Sequence, residues 1–212
     1  MIKAVIFDLD GLLVDSELLH YLTNKIAFRK YGVNITKEFY IKNWIESLGG
    51  SNKVINDYKL NVNIGKLRKE KITIYKRLAK EKLKLMPGAV NSIKRLKKIP
   101  LGVCSSSYND DVYNSLDKFK LRKYFKAVTS YDDVKNCKPH PEPYLKTAKK
   151  IKVNPKYCLV IGGSLKGMQS AKSAGMKCII IPKSYTRHED FSKADLILKS
   201  LNELDLKILE RF

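Results

Sequence analysis

The sequence predicts a doubly wound parallel α/β sheet carrying an inserted α-helical domain. Three observations lead there: short apolar runs bounded by turn residues, helix-length amphipathic stretches between those runs, and one long interval that reads as helix after helix. The runs at residues 4–7, 101–104, 127–129, 158–161 and 178–181 have the continuous apolar character of strands buried on both faces. From about residue 86 onward strands and helices alternate, the pattern of a parallel sheet whose ligands bind beyond the carboxyl ends of its strands. Every loop that follows a strand is therefore a candidate site.

The long interval separates the first run from the second. Residues 16–84 are helical in pattern, starting with Leu18, Leu19, Leu22, Ile26 and Phe28, and they hold the only tryptophan, Trp44. A simple crossover between parallel strands needs far fewer residues. The segment is predicted to be an inserted domain, and the turn Met86-Pro87-Gly88 marks the return of the chain. The expected organisation is a core of residues 1–15 and 85–212 with an insertion at 16–84. A chain of 212 residues has room for one core and one appendage.

Lys and Arg number 42 against 21 Asp and Glu, a formal charge of +21. Such a surface attracts phosphates, nucleic acid or acidic membranes. The basic residues are spread along the chain, however, and alternate with apolar positions as solvated helix faces do, for example in Lys66-Leu67-Arg68-Lys69-Glu70-Lys71. No nucleic-acid motif accompanies them, and no nucleic-acid partner is expected. The four cysteines, at 104, 137, 158 and 178, show neither metal-ligand spacing nor a cluster with histidine, and read as reduced thiols. No stretch approaches the roughly 18 consecutive apolar residues of a membrane span, and the N-terminus has no signal-peptide pattern. A cytoplasmic protein with no membrane partner is expected, and a monomer.

The first apolar run ends in Phe7-Asp8-Leu9-Asp10-Gly11. Two carboxylates one residue apart, at the end of a strand, can hold a magnesium ion, and one can attack phosphorus while the other handles a proton. By itself an Asp-x-Asp is equally a turn former. Residues 7–17, FDLDGLLVDSE, closely resemble the opening motif of the haloacid dehalogenase superfamily in its β-phosphoglucomutase-like branch. Further parts of that pattern follow in order: serines after the second strand in Val103-Cys104-Ser105-Ser106-Ser107, and a lysine in Cys137-Lys138-Pro139-His140-Pro141-Glu142. The resemblance spans essentially the whole chain.

The resemblance implies a phosphatase. Asp8 would be the nucleophile that forms an aspartyl-phosphate, and Asp10 the acid that protonates the leaving oxygen and then activates water. Ser105 would bind a phosphoryl oxygen at the start of a helix, Ser106 would also bind phosphate, and Lys138 would neutralise charge on phosphate and on Asp8. Magnesium would be held by Asp8 and Asp10. Branch members carry a cap over the site, where His20 would contact the substrate, a small phosphorylated metabolite resembling a sugar phosphate. The segment at residues 48–53 is similar to the branch's substrate loop but lacks the arginine that grips a second phosphate in the mutases, which favours hydrolysis, although Lys53 or another lysine of the insertion could substitute.

One motif departs from the family. After the strand at 158–161 the family places an acidic pair, one of which completes the magnesium shell; here the residues are Gly162-Gly163-Ser164, and no Asp or Glu occurs between 143 and 188. A charge pair left unscreened at about 4 Å costs about 4 kcal/mol at an effective dielectric of about 20, which is about a thousandfold in rate. Weakened magnesium binding is expected, and amides at the following helix N-terminus are expected to favour an anion. The alternatives are a β-phosphoglucomutase-like phosphotransferase and a binding protein on a disabled enzyme fold.

Overall fold

The structure, a computed structural model, describes residues 1–47 and 49–212. It divides into two compact units, Met1–Asp15 with Lys84–Phe212, and Ser16–Leu83.

The first unit is built on a six-stranded parallel sheet. Strand β1 (Ala4–Phe7) has all four residues buried, as its uninterrupted apolar run requires. After it the chain enters a short ribbon strand, β2 (Val14–Asp15), and leaves for the helical unit.

That second unit contains α1 (Glu17–Arg29), α2 (Lys37–Tyr40), a π-helical segment (Ile41–Glu46), α3 (Gly50–Asp57) and α4 (Ile64–Lys82). Asn63 caps α4 by accepting the Lys66 amide, and Thr36 caps α2 through the Phe39 amide. The core gathers Ala27, Phe28, Ile35, Tyr40, Val54 and Leu67, with the Trp44 ring stacked on Tyr40 at 5.5 Å. Helix α4 buries Leu67, Tyr75, Leu78 and Ala79 along one face, while Lys66, Lys69, Lys76, Lys80 and Lys82 are exposed.

The chain returns through β3 (Lys84–Leu85), which pairs antiparallel with β2 in the register Val14 to Leu85 and Asp15 to Lys84. Lys84, the last residue of the expected insertion, therefore belongs to the sheet-bearing unit. Two-residue strands carry too little periodicity to be seen in sequence.

There follow α5 (Ala89–Leu96), β4 (Leu101–Cys104), α6 (Asn109–Lys118), β5 (Ala127–Thr129), α7 (Glu142–Ile151), β6 (Cys158–Gly162), α8 (Leu165–Ser173), β7 (Lys177–Ile180), β8 (Leu196–Ile197) and α9 (Leu206–Leu209). The sheet order is β5-β4-β1-β6-β7-β8. β1 lies in the interior, and the chain winds outward from it on one side and then on the other, so the sheet is doubly wound, with its topological switch beside β1. The predicted runs all became strands; β8 is too short to have been read. Cys104, Cys158 and Cys178 are buried, and all four cysteines are free. Among the described residues no helix is long and apolar enough to cross a membrane.

Gly88 shows how the return is fixed. Its φ is +84°, and a Cβ there would stand 2.8 Å from the backbone nitrogen of Asn202. Gly88→Ala is expected to cost about 1–3 kcal/mol, seen as a lower midpoint in urea; an unchanged midpoint would mean that the turn relaxes freely.

Candidate active site

β1 delivers Asp8 to the carboxyl edge of the sheet, and the Asp8 amide donates to the Ile161 carbonyl of β6 at 2.9 Å. Asp8 Oδ1 accepts the Leu9 amide at 2.9 Å and faces Lys138 Nζ at 3.1 Å. Lys138 Nζ also donates to the Cys104 carbonyl at the end of β4, at 2.8 Å, and lies 4.7 Å from the centroid of the Tyr144 ring on α7. The Lys138 side chain is 5% exposed and that of Asp8 13%, so the ion pair is largely removed from solvent.

Burial pushes the Asp8 carboxyl above the ordinary carboxylate range, opposed by Lys138 and reinforced by Asp10. Burial disfavours the Lys138 ammonium too, but the Asp8 carboxylate outweighs it and holds the amine well above the usual lysine range. Lys138 is a charged group at every physiological pH.

Asp10 Oδ2 accepts two hydroxyls, Ser105 Oγ and Ser107 Oγ, each at 2.8 Å. Ser105 Oγ in turn accepts the Ser107 amide at 2.9 Å, which folds residues 105–107 into a tight turn. Ser106 is exposed and lies on the outside of that turn. Helix α6 begins only at Asn109, so Ser105 does not stand at its start, contrary to expectation. Ser107, which the sequence reading did not single out, is the second serine to reach Asp10. The spacing i, i+2 in a turn could have indicated it.

His20 lies in α1, its ring stacked on Tyr75 of α4 at 4.6 Å and 16°. Lys53 forms an ion pair with Asp57 one turn along α3. Of the segment resembling the substrate loop, Leu48 lies outside the described residues.

At the departing motif, β6 ends at Gly162 and Ser164 caps α8, its side chain accepting the Gly167 amide at 3.3 Å. The Leu165 amide donates to Glu189 Oε2 at 2.8 Å. These two amides of the α8 N-terminus are thus satisfied within the protein, contrary to the expectation that they await an anion. Glu189 lies one residue beyond the window in which the sequence held no acid, and only folding brings it to this helix.

Asp8 and Asp10 are two carboxylates converging beside a lysine, and the third acidic position is Gly163. Among the described residues no group of three His, Cys, Asp or Glu could hold a metal. Magnesium is commonly bound by one or two carboxylates plus phosphate oxygens and waters, and the donors here fit that kind of open site, not an all-protein cage.

A family model for haloacid dehalogenase-like hydrolases matches residues 5–181. The chain belongs to that family. Hexitol phosphatase B of Escherichia coli is 32% identical over 98% of this chain and 96% of its own length. Among solved structures, CbbY from Rhodobacter sphaeroides in complex with phosphate is 29% identical, with a TM-score of 0.90 over 99% of this chain and 100% of that one. A β-phosphoglucomutase from Clostridium difficile is 28% identical, with a TM-score of 0.85 over 100% and 96%. Within the haloacid dehalogenase-like hydrolases the chain falls in the β-phosphoglucomutase-like branch, and it is an enzyme of the phosphoric monoester hydrolase class.

Removing Lys138 would strand the buried Asp8 carboxylate. Lys138→Met is expected to cost about 3–5 kcal/mol at neutral pH. In the variant Asp8 has lost the cation that opposed burial, so the folded state keeps the Asp8 proton to higher pH than the unfolded chain. Stability of the variant then rises as pH falls from that raised value toward the ordinary carboxylate range, and the gap to wild type narrows. Urea midpoints at pH 7 and pH 5 check this; a constant gap would contradict it.

Proposed function

We propose that this chain hydrolyses small phosphorylated metabolites, sugar-phosphate-like in chemistry, through an aspartyl-phosphate on Asp8. The observation that carries the reading is the Asp8–Lys138 pair at the end of β1, with Asp10 held two residues away by a pair of serine hydroxyls. A carboxylate stripped of much of its water, with an ammonium beside it to stabilise its charged form, is a nucleophile prepared for an electrophilic phosphorus.

In the first step an Asp8 carboxylate oxygen forms a bond to phosphorus while the bond to the ester oxygen breaks. Asp10, protonated, gives its proton to the departing alkoxide. In the second step the Asp10 carboxylate takes a proton from water, the resulting oxygen attacks phosphorus, and the acyl-phosphate bond breaks to return Asp8 as carboxylate and release inorganic phosphate. Ser105 and Ser107 hold the Asp10 side chain in place for both proton transfers. Lys138 balances the negative charge that accumulates on Asp8 and the phosphoryl oxygens. A magnesium ion bound by the Asp8 carboxylate and the Asp10 loop would supply further charge neutralisation of the phosphoryl group.

The name of hexitol phosphatase B, a relative of similar length, supports a polyol or sugar phosphate as substrate class. In this reading the helical unit acts as a cap that excludes water and reads the non-phosphate part of the substrate, with His20 among its contacts. A mutase requires a second phosphate grip, and Lys53, one of the lysines of the helical unit considered for that duty, is engaged by Asp57. One specific observation favours a non-catalytic alternative: Gly163 in place of the family's acid.

Phosphate release from a panel of small phosphomonoesters, with hexose phosphate isomerisation followed in parallel, tests the reading. Wild type is expected to turn over, and Asp8→Asn to fall by at least about a thousandfold. Turnover untouched by Asp8→Asn would refute the covalent mechanism, and its complete absence in wild type would favour the binding protein.

A further inference from the structure

The corner left by the missing acid holds a cation. A Cβ built on Gly163 would stand 3.1 Å from the Ile181 carbonyl oxygen and 3.9 Å from Cε of Lys183. Lys183 follows the end of β7, at the same carboxyl edge of the sheet as Asp8, because β6 lies between β1 and β7. Its backbone is clamped to the glycine loop through one buried residue. The Lys183 amide donates to Thr186 Oγ1 at 2.9 Å, and that hydroxyl donates to the Gly163 carbonyl at 2.9 Å. The Ile181 amide adds a bond to the Gly162 carbonyl at 2.8 Å. The position of Lys183 beside residue 163 is therefore built into the loop.

The lysine is half-buried, and burial draws its amine below the ordinary lysine range, with the Asp15 carboxylate opposing. Nearby Glu189 is directed at the α8 amide of Leu165. A partly desolvated ammonium beside an anion site interacts more strongly than one in water. Glycine for an acid removes one negative charge, and the adjacent ammonium adds a positive one that the Asp15 carboxylate only partly offsets, so the corner is less negative than one carrying an acid at residue 163.

We propose that Lys183 is a phosphate-binding residue whose ammonium, set beside Gly163, contacts the phosphoryl group at Asp8 and lets the site hold phosphate without a divalent cation. This rests on the phosphatase reading and deepens it. Lys138 neutralises the nucleophile from the β4 side, and Lys183 serves the phosphoryl oxygens from the β7 side.

Calorimetric titration of inorganic phosphate into the full chain, in EDTA and again in magnesium, tests it. Wild type is expected to bind phosphate in EDTA, and magnesium to tighten binding by less than about threefold, since the charge is already present. Lys183→Met is expected to weaken metal-free binding at least about tenfold, the loss of one charge-assisted contact. In Gly163→Asp the new carboxylate would pair with Lys183, so metal-free binding falls by a similar factor of about ten and returns when magnesium is added. Wild-type binding that requires magnesium, or Lys183→Met binding phosphate in EDTA as wild type does, overturns the proposal. If wild type nevertheless turns over phosphomonoesters, the phosphatase reading stands and only the role of Lys183 falls. Absence of both turnover and phosphate binding sinks both.

Discussion

A buried ammonium must face a buried anion, and in this protein that requirement joins three elements at one point. Lys138 meets Asp8 at the end of β1, the Cys104 carbonyl at the end of β4 and the Tyr144 ring on α7. Each contact offsets part of the cost of removing a charge from water, and none alone would suffice. The ends of two neighbouring strands and the first turn of a helix are thereby set relative to one another within hydrogen-bonding tolerance. The same convergence leaves a negative oxygen at the sheet edge with its charge compensated from beneath.

The sheet prepares that convergence by close packing. Gly102 in β4 lies under α7, where a Cβ would come within 2.7 Å of Ile151 Cδ1 and 2.9 Å of Thr147 Cγ2. The helix can rest on the strand because nothing projects there. Thr147 and Ile151 share a face with Tyr144 at helical spacing, so seating that face on β4 also carries the Tyr144 ring to Lys138. Apolar burial here determines the geometry of a polar site.

The loop after β6 shows a different balance. In the family pattern an acid at this position adds negative charge and relies on a metal to offset it. In this chain Gly163 removes the acid, the α8 amides of Leu165 and Gly167 are satisfied by Glu189 and Ser164, and the neighbouring long side chain is Lys183. Asp8 and Asp10 then share the carboxyl edge with Lys138 and Lys183, with Asp15 acting on Lys183, a less negative arrangement than one with a further carboxylate at residue 163. An anion entering such a site meets less repulsion before any metal arrives.

The sequence alone determined the fold class and the strands at residues 4–7, 101–104 and 127–129, because continuous apolar runs are local properties of a chain. It also singled out Asp8, Asp10 and Lys138, which sit in short motifs with distinctive neighbours. Tertiary structure alone decided which serine besides Ser105 reaches Asp10, since Ser106 and Ser107 differ only in which way a turn points them. It alone placed Glu189 at α8 and Lys183 beside Gly163, residues separated by 20 or more positions from the motif they serve. Contacts between loops at the ends of parallel strands depend on strand order, and strand order is written in how the sheet packs, not in any one segment of chain.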